Sequence, residues 1–353
     1  NSITWMGFCI SRDSNQNTRS TPSKRYGNQT GLVPRPSDGR AGRADRLDLS
    51  AVDALGLDIG GTKIAGARVD EDGVVVAQVS RPTTPENPEG ILDALAEIFD
   101  ELGGQETLPS VGVAVAAFLN APRDRLYFSP NLAWRDFPLA SAVADRLGVS
   151  VVVENDANAA GWGEFRFGAG RDVSSMLMLT IGTGVGGALV DDGRLIVGGF
   201  GMAAELGHII IEPGGLLCGC GNRGCLEQYA SGTALMRQAR ELFGDDSLTQ
   251  ASLTELLKSG NAVALGALES VARALGRGIT SLVAVTDPQR IVIGGGVASA
   301  GELLLAPIRA GFEETYGASD KRPVADIAVA TMGNSAGVVG AADLARAKSQ
   351  PGA

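Results

Sequence analysis

From Ala54 onward the chain alternates short apolar runs with longer stretches of helical period. Leu55-Gly56-Leu57-Asp58-Ile59 reads as a buried strand. Glycines 60 and 61 turn it into a second, alternating stretch that ends at Val69-Asp70, and Glu71-Asp72-Gly73 makes a hairpin into a third strand. The same order returns much later. Met178-Leu179-Thr180-Ile181 runs into the glycine segment Gly182-Thr183-Gly184-Val185-Gly186-Gly187, and then into Leu189-Val190-Asp191-Asp192-Gly193. After the first copy the pattern predicts a helix near Pro88–Gly103, a strand over Val111–Phe118, a helix near Leu139–Leu147 and a strand over Val151–Glu154. After the second it predicts several helices, a strand over Arg290–Ile293, a helix from Glu302, a strand near Asp326–Ala330 and a terminal helix from Ser335. Strands alternating with helices imply a largely parallel sheet covered on both faces. Two copies of the pattern imply two α/β domains facing one another across a cleft.

The division expected on this basis is a small domain over 54–156, joined by the terminal helix 335–348, and a large domain over 157–334. Residues 1–53 are dense in Ser, Arg, Asn, Gly and Pro and have no sustained period, so they read as a disordered or extraneous segment. Met6-Gly7-Phe8-Cys9-Ile10-Ser11 matches an acylation pattern, but its Met6 is internal.

Charge and composition narrow the classes of function. At 353 residues the chain can bury two cores, and its 49 glycines suit an enzyme with many tight strand-to-loop turns. The net charge of −10 is uneven: residues 1–50 carry eight Lys/Arg against four Asp/Glu, leaving 22 against 36 on the rest. A body that acidic repels nucleic acid, so DNA binding through it is not expected. No apolar run reaches the roughly eighteen residues of a membrane span, and no secretory leader pattern is visible. The expected location is the cytoplasm, where thiols stay reduced.

The single histidine stands at His208, and three of the four cysteines, Cys218, Cys220 and Cys225, follow within 17 residues. Three thiolates and one imidazole are a complete tetrahedral set for zinc with no open position, which makes a structural site and not a catalytic one. Disulfides are the alternative, but Cys218-Gly219-Cys220 is too tight for easy pairing and Cys9 is isolated.

Two glycine turns could approach an anion. Asp58-Ile59-Gly60-Gly61-Thr62-Lys63 offers backbone N–H groups and the Thr62 hydroxyl, and Asp58, ending an apolar strand, is placed to hold Mg²⁺ directly or through water. A hairpin turn with a satisfied Asp is the plain alternative. Gly182 to Gly187 formally fits a dinucleotide fingerprint, but an alternating stretch follows where a helix is required. A second phosphate-facing hairpin containing Thr183 and Gly184 explains it better. Gly294-Gly295-Gly296, between a strand and a helix, could let a nucleotide base or ribose lie on bare backbone.

Where strand 151–154 ends, Asn155 and Asp156 stand at the carboxyl end of a parallel sheet, the place where such sheets bind ligands. Asp156 could accept a proton from a hydroxyl that Asn155 orients; helix capping by Asp156 is the bland reading. Asn131, Glu205 and Glu227 are further polar candidates in loops, and a neutral polyol requires such paired donors and acceptors.

Taken together these segments resemble the ROK family of sugar kinases and repressors, and within it the ATP-dependent glucokinases of actinobacteria. The likeness runs from about Ala54 to Ala347. It is carried by Leu57 to Lys63, by Glu154-Asn155-Asp156-Ala157-Asn158-Ala159-Ala160, by Thr180 to Gly184, by Glu205-Leu206-Gly207-His208 and by the block Cys218 to Glu227. Ser129-Pro130-Asn131-Leu132-Ala133-Trp134 resembles the glucokinase form of the sugar loop. The resemblance implies an actin-like, ribonuclease-H-like two-domain fold closing around sugar and ATP. It implies Asp156 as the base toward the sugar 6-hydroxyl, with Asn131, Asn155, Glu205, His208 and Glu227 holding the other hydroxyls. His208, Cys218, Cys220 and Cys225 match the family's zinc site. It implies MgATP and glucose as substrates and a homodimer or homotetramer. Other hexoses or N-acetylhexosamines remain alternatives, as does polyphosphate as donor; a sugar-responsive repressor fits less well, because about fifty unperiodic residues precede Asp58 where such repressors carry a helix-turn-helix.

Overall fold

The computed structural model describes residues 53–103, 110–317 and 323–348; residues 1–52, with Cys9 and the acylation pattern, lie outside the described residues. Strand β1 (Ala54–Ile59) is buried on both faces, with only Asp58 less than fully covered, and the next strands are β2 (Lys63–Val69) and β3 (Val75–Pro82). Helix α1 (Pro88–Glu101) begins where the Asn87 side chain accepts a hydrogen bond from Gly90 N, and it buries Leu95, Ile98 and Phe99. Strand β4 (Val111–Val115) follows. A small antiparallel sheet comes next, made of β5 (Phe118–Leu119), β6 (Leu126–Phe128) and β7 (Arg135–Phe137), then α2 (Leu139–Leu147) and β8 (Val151–Asn155).

The main sheet of this half has the order β3-β2-β1-β4-β8, in which β1, β4 and β8 are parallel and β2 and β3 antiparallel to their neighbours. The expected strand Val111–Phe118 is in fact two. β4 stops at Val115, opposite Ile59, where its pairing with β1 ends. The next two carbonyls are taken by side chains, Ala116 O by Ser129 Oγ (2.8 Å) and Ala117 O by Asn155 Nδ2 (3.2 Å), and Phe118 opens a different sheet.

Helix α3 (Asp156–Arg166) leads to β9 (Met176–Ile181), β10 (Val185–Asp191) and β11 (Arg194–Leu195). The cysteine loop precedes α4 (Glu227–Ala230), α5 (Gly232–Phe243), α6 (Gln250–Lys258) and the 25-residue α7 (Ala262–Thr286). The chain ends through β12 (Arg290–Gly294), α8 (Glu302–Thr315), β13 (Asp326–Val329) and α9 (Ala336–Lys348). The second sheet has the order β11-β10-β9-β12-β13. It repeats the first: in both, the third, second, first, fourth and fifth strands lie side by side.

The two helices that follow the sheets are exchanged. α3 comes after the first sheet but packs on β10 of the second, whereas α9 comes after the second sheet and packs on β1 and β4 of the first. Val338, Val339 and Ala342 of α9 share a core with Ala65, Ala67 and Val69. The helices also pack against each other, with Gly163 and Gly340 at the contact: a β-carbon on Gly340 would overlap the Ala159 carbonyl, and one on Gly163 would lie 2.6 Å from Ala336 O. Buried polar groups tie the same crossing. Trp162 Nε1 donates to Asp343 (2.8 Å), and the fully buried Glu164 accepts from Ala169 N (2.8 Å) and Met332 N (2.7 Å).

Candidate active site

The carboxyl ends of β1 and β8 bring two acidic residues to one place. Asn155, the last residue of β8, is the cap of α3: its Oδ1 accepts from Asn158 N (3.1 Å) while its Nδ2 donates to Ala117 O. The capping role therefore falls to Asn155, and Asp156, the first helical residue, turns its carboxyl to the cavity described below. Burial pushes Asp156 above the usual carboxylate range, against the pull of the backbone N–H groups of Ala157 and of Asp156 itself. On β1, burial first and the Asp156 charge second push Asp58 up to about 7, with Lys63 acting the other way. Two neighbouring carboxyls, both pushed up by burial and one also by the other's charge, are a setting that a divalent cation relieves.

A cavity of about 350 Å³ opens beside Asp156, and Asn131, Asn155, Glu205, His208 and Glu227 all line it. They come from four separate stretches of chain, so the set exists only in the folded protein. Asn131 lies on the loop between β6 and β7, where the buried Ser129 hydroxyl accepts its backbone N–H (3.3 Å). Glu205 precedes a short 3₁₀ turn, Leu206–His208. Burial raises its carboxyl, with His208 opposing and Asp156 and Glu227 adding to the rise. Glu227 opens α4 and its Oε2 accepts from Val185 N (3.1 Å), which couples the cavity to the glycine turn at 182–184.

That turn joins a second, larger cavity of about 1030 Å³, because Gly182 and Thr183 line both. The turn is docked on the start of α5: Gly232 N donates to Gly182 O (2.8 Å) and the Thr233 hydroxyl to Thr183 O (2.7 Å). The larger cavity has an apolar wall that includes Leu253, Leu257 and Val297, and a polar side with Arg237, Arg240 and Lys258. Gly184 and Gly295 line the smaller cavity and Gly296 the larger. Gly294 lines neither; it is buried at the end of β12, against Met178 and Ala330. Asp58, Gly60, Gly61, Thr62 and Lys63 line neither cavity. Gly60 N and Lys63 O close the first turn (3.0 Å), Thr62 and Lys63 are exposed, and Gly61 lies against the Asn131 side chain.

The four residues of the cysteine loop converge. His208 Nδ1 and Cys218 Sγ are 3.6 Å apart, Cys220 Sγ and Cys225 Sγ are 3.6 Å apart, and all four ligand atoms lie within 4.8 Å of one another. A tetrahedron with metal–sulfur bonds of about 2.3 Å and a metal–nitrogen bond of about 2.0 Å has edges of roughly 3.5–3.8 Å, so the donor set fits such an ion. A tight turn, in which Cys218 N donates to Asn222 O (2.8 Å) and Gly221 N to Cys218 O (3.0 Å), folds the loop around it. His208 points Nδ1 at the thiols, and its ring also lines the smaller cavity.

Sequence reasoning missed Arg123, Glu154 and Asn158 as parts of this region. Glu154 and Asn158 stood in the quoted motif without a role; Arg123, in a hairpin turn, gave no signal.

The model of the ROK family matches residues 54–348. The chain belongs to the ROK family. Among proteins similar to this ROK chain, the glucokinase of Streptomyces coelicolor is 42% identical, over 83% of this chain and 97% of its own length. The N-acetylmannosamine kinase of Escherichia coli (strain SE11) is 36% identical, over 83% and 98%. The crystal structure of a ROK family glucokinase from Streptomyces griseus, in complex with glucose and AMPPNP, superposes with a TM-score of 0.76 at 41% identity, covering 84% of this chain and all of that one. The mixed α/β sheets are thus those of an actin-like ROK sugar kinase fold.

Proposed function

We propose that this ROK protein is a glucokinase, transferring the γ-phosphoryl group of MgATP to O6 of D-glucose to give glucose 6-phosphate and ADP. One observation carries the reading. Asp156 and five hydrogen-bonding side chains share a cavity whose wall includes the same glycine turn that borders the larger cavity. The glucokinase kinship at 41–42% identity over most of the chain supports it.

Asp156 accepts the proton of the attacking hydroxyl as the phosphoryl group arrives. Its raised proton affinity makes it a better acceptor than an exposed aspartate. Asn131, Asn155, Glu205, His208 and Glu227 pair with the remaining hydroxyls and hold O6 in line. The transition state of such a transfer is loose, so positioning and charge neutralisation supply most of the acceleration. Residues around Gly182-Thr183-Gly184 and Gly60-Gly61-Thr62-Lys63 direct N–H and hydroxyl donors to the phosphates, and the larger cavity takes the base and ribose. Asp58 is the residue that would hold Mg²⁺, which when bound neutralises the phosphate oxygens. Zn²⁺ in the His208, Cys218, Cys220 and Cys225 set would supply no chemistry to the reacting atoms; it stiffens the loop between Glu205 and Glu227. The cytoplasm, where glucose and MgATP meet, is the compartment that goes with this reading, and a homodimer or homotetramer the assembly.

Release of ADP by the purified protein, measured separately with glucose, mannose, fructose, N-acetylglucosamine and N-acetylmannosamine, tests it. Turnover should be fastest with glucose. A preference for N-acetylmannosamine would overturn the substrate and keep the mechanism, whereas no turnover with any of the five would overturn the reaction.

A further inference from the structure

Arg123 occupies the turn between β5 and β6 with a left-handed backbone (φ 63°), and it is only 5% exposed. A side chain as large as arginine holds that conformation only where its surroundings over-determine it. They do so here through the guanidinium. Nε donates to Glu154 Oε2 (2.9 Å), Nη2 lies 2.8 Å from Oε1 as an ion pair, and Nη1 donates to the carbonyls of Asn120 (3.0 Å) and Gly201 (2.7 Å).

The partners come from the two halves of the chain. Glu154 is on β8, one residue before Asn155, and its Oε1 also accepts from Asn155 N (2.9 Å) and Asn158 Nδ2 (3.0 Å). Gly201 belongs to the second half, on the loop after β11 whose next residues, Met202 to Glu205, form cavity wall. Gly201 also has positive φ (+85°), and a β-carbon there would press on Asn120, Ala121 and the Arg123 guanidinium. Within the loop Gly201 N donates to Gly198 O (3.3 Å) and Ala203 N to Val197 O (3.1 Å), while Phe200 beside it is 80% exposed.

We propose that Arg123 and Glu154 are a positioning pair, a buried clasp that sets the Glu205 loop at the right distance from the Asn155–Asp156 strand end and so fixes the width of the sugar cavity. Neither residue touches the reacting atoms. The planar fork is essential, because one face must engage the carboxylate while the other reaches the Gly201 carbonyl. A buried ion pair contributes little net stability compared with apolar groups of the same size, which leaves geometry as the reason for this one.

The inference rests on the sugar-kinase reading, and the test separates the two. Wild-type protein that turns over glucose establishes the reaction; if another sugar is preferred, the same comparisons are made with that sugar. R123K keeps the charge but not the fork, and it should raise the KM for the sugar about 10- to 100-fold, the equivalent of one charge-assisted hydrogen bond, while the KM for MgATP stays within about twofold. The double variant R123M/E154L, which fills the space with apolar groups, should recover thermal stability yet keep the raised sugar KM. A purely structural pair would behave otherwise: R123K would lower Tm with an unchanged sugar KM, or the double variant would restore Tm and KM together. Either result would overturn the proposal.

Discussion

Gly340 of the terminal helix lies directly on the carbonyl of Ala159, three residues after the proposed base Asp156, with no room for a β-carbon between them. This contact joins the two helices that exchange sheets, so it sets how the two halves meet around the cavity.

Gly340→Ala tests that contact. On helix propensity alone alanine would stabilise by about 1 kcal/mol. The obstacle is backbone, which cannot rotate away, so the expected result is a net loss of about 2–3 kcal/mol. Chemical denaturation reads it, and an unchanged or raised midpoint would show that the helices part easily.

Asp156→Asn should keep the fold and lower kcat by about 10²- to 10⁴-fold, since the amide cannot take the hydroxyl proton. The pH profile adds a signed expectation. Because burial raises its pKa, Asp156 keeps its proton to higher pH than a free aspartate, and the base form is lost as pH falls through that raised value. The acid limb of kcat should therefore lie above the ordinary range and disappear in the variant. Near-normal turnover by the folded variant would remove Asp156 from the mechanism.

Asp58 predicts a conflict between stability and activity. Burial, with the Asp156 charge beside it, pushes its pKa up to about 7 from an ordinary aspartate's 3.8, so the folded state binds the extra proton. Stability from this group is fully present below about pH 4 and is lost as pH rises to about 7. Asp58→Asn removes that dependence. At pH 8 the ligand-free variant should be more stable than wild type by on the order of 2 kcal/mol, and it should transfer phosphoryl poorly. Thermal denaturation at pH 4 and pH 8 measures the difference; equal stability at both would contradict it.

Removing a metal from the cysteine loop should act on the sugar and not on the nucleotide. Chelation, or Cys225→Ser, is expected to lower stability by about 2–4 kcal/mol and to raise the glucose KM with little change for MgATP, because only Glu205, His208 and Glu227 depend on that loop. Elemental analysis should find one zinc per chain. Zinc-free protein with full activity would leave the thiols without this role.

Much of the architecture was legible from local pattern. The two strand–glycine–strand copies announce themselves because a buried strand demands an apolar run and a tight turn demands glycine, and both are local requirements. The observed β1–β2 and β9–β10 hairpins follow that reading closely. The split of Val111–Phe118 was not legible, since nothing in that apolar run records that β1, its partner, ends at Ile59. The small sheet β5-β6-β7 escaped for a related reason: its strands have two or three residues, too few for a period to register.

The chain by itself determined the residue types of the site, because a thiolate–imidazole set, a carboxylate at a strand end and a glycine turn each have a local chemical signature. Only the tertiary structure decided where they meet. The six cavity residues come from four stretches of chain, and no periodicity encodes distances between loops. It also decided that Asn155 and not Asp156 caps α3, that Gly294 is packed away inside a strand end, and that Arg123 reaches Gly201 across 78 positions. An isolated arginine in a turn looks like any solvated charge. Its burial, and with it the pairing to Glu154, arises only when two distant segments close over it and water is no longer available as the alternative partner.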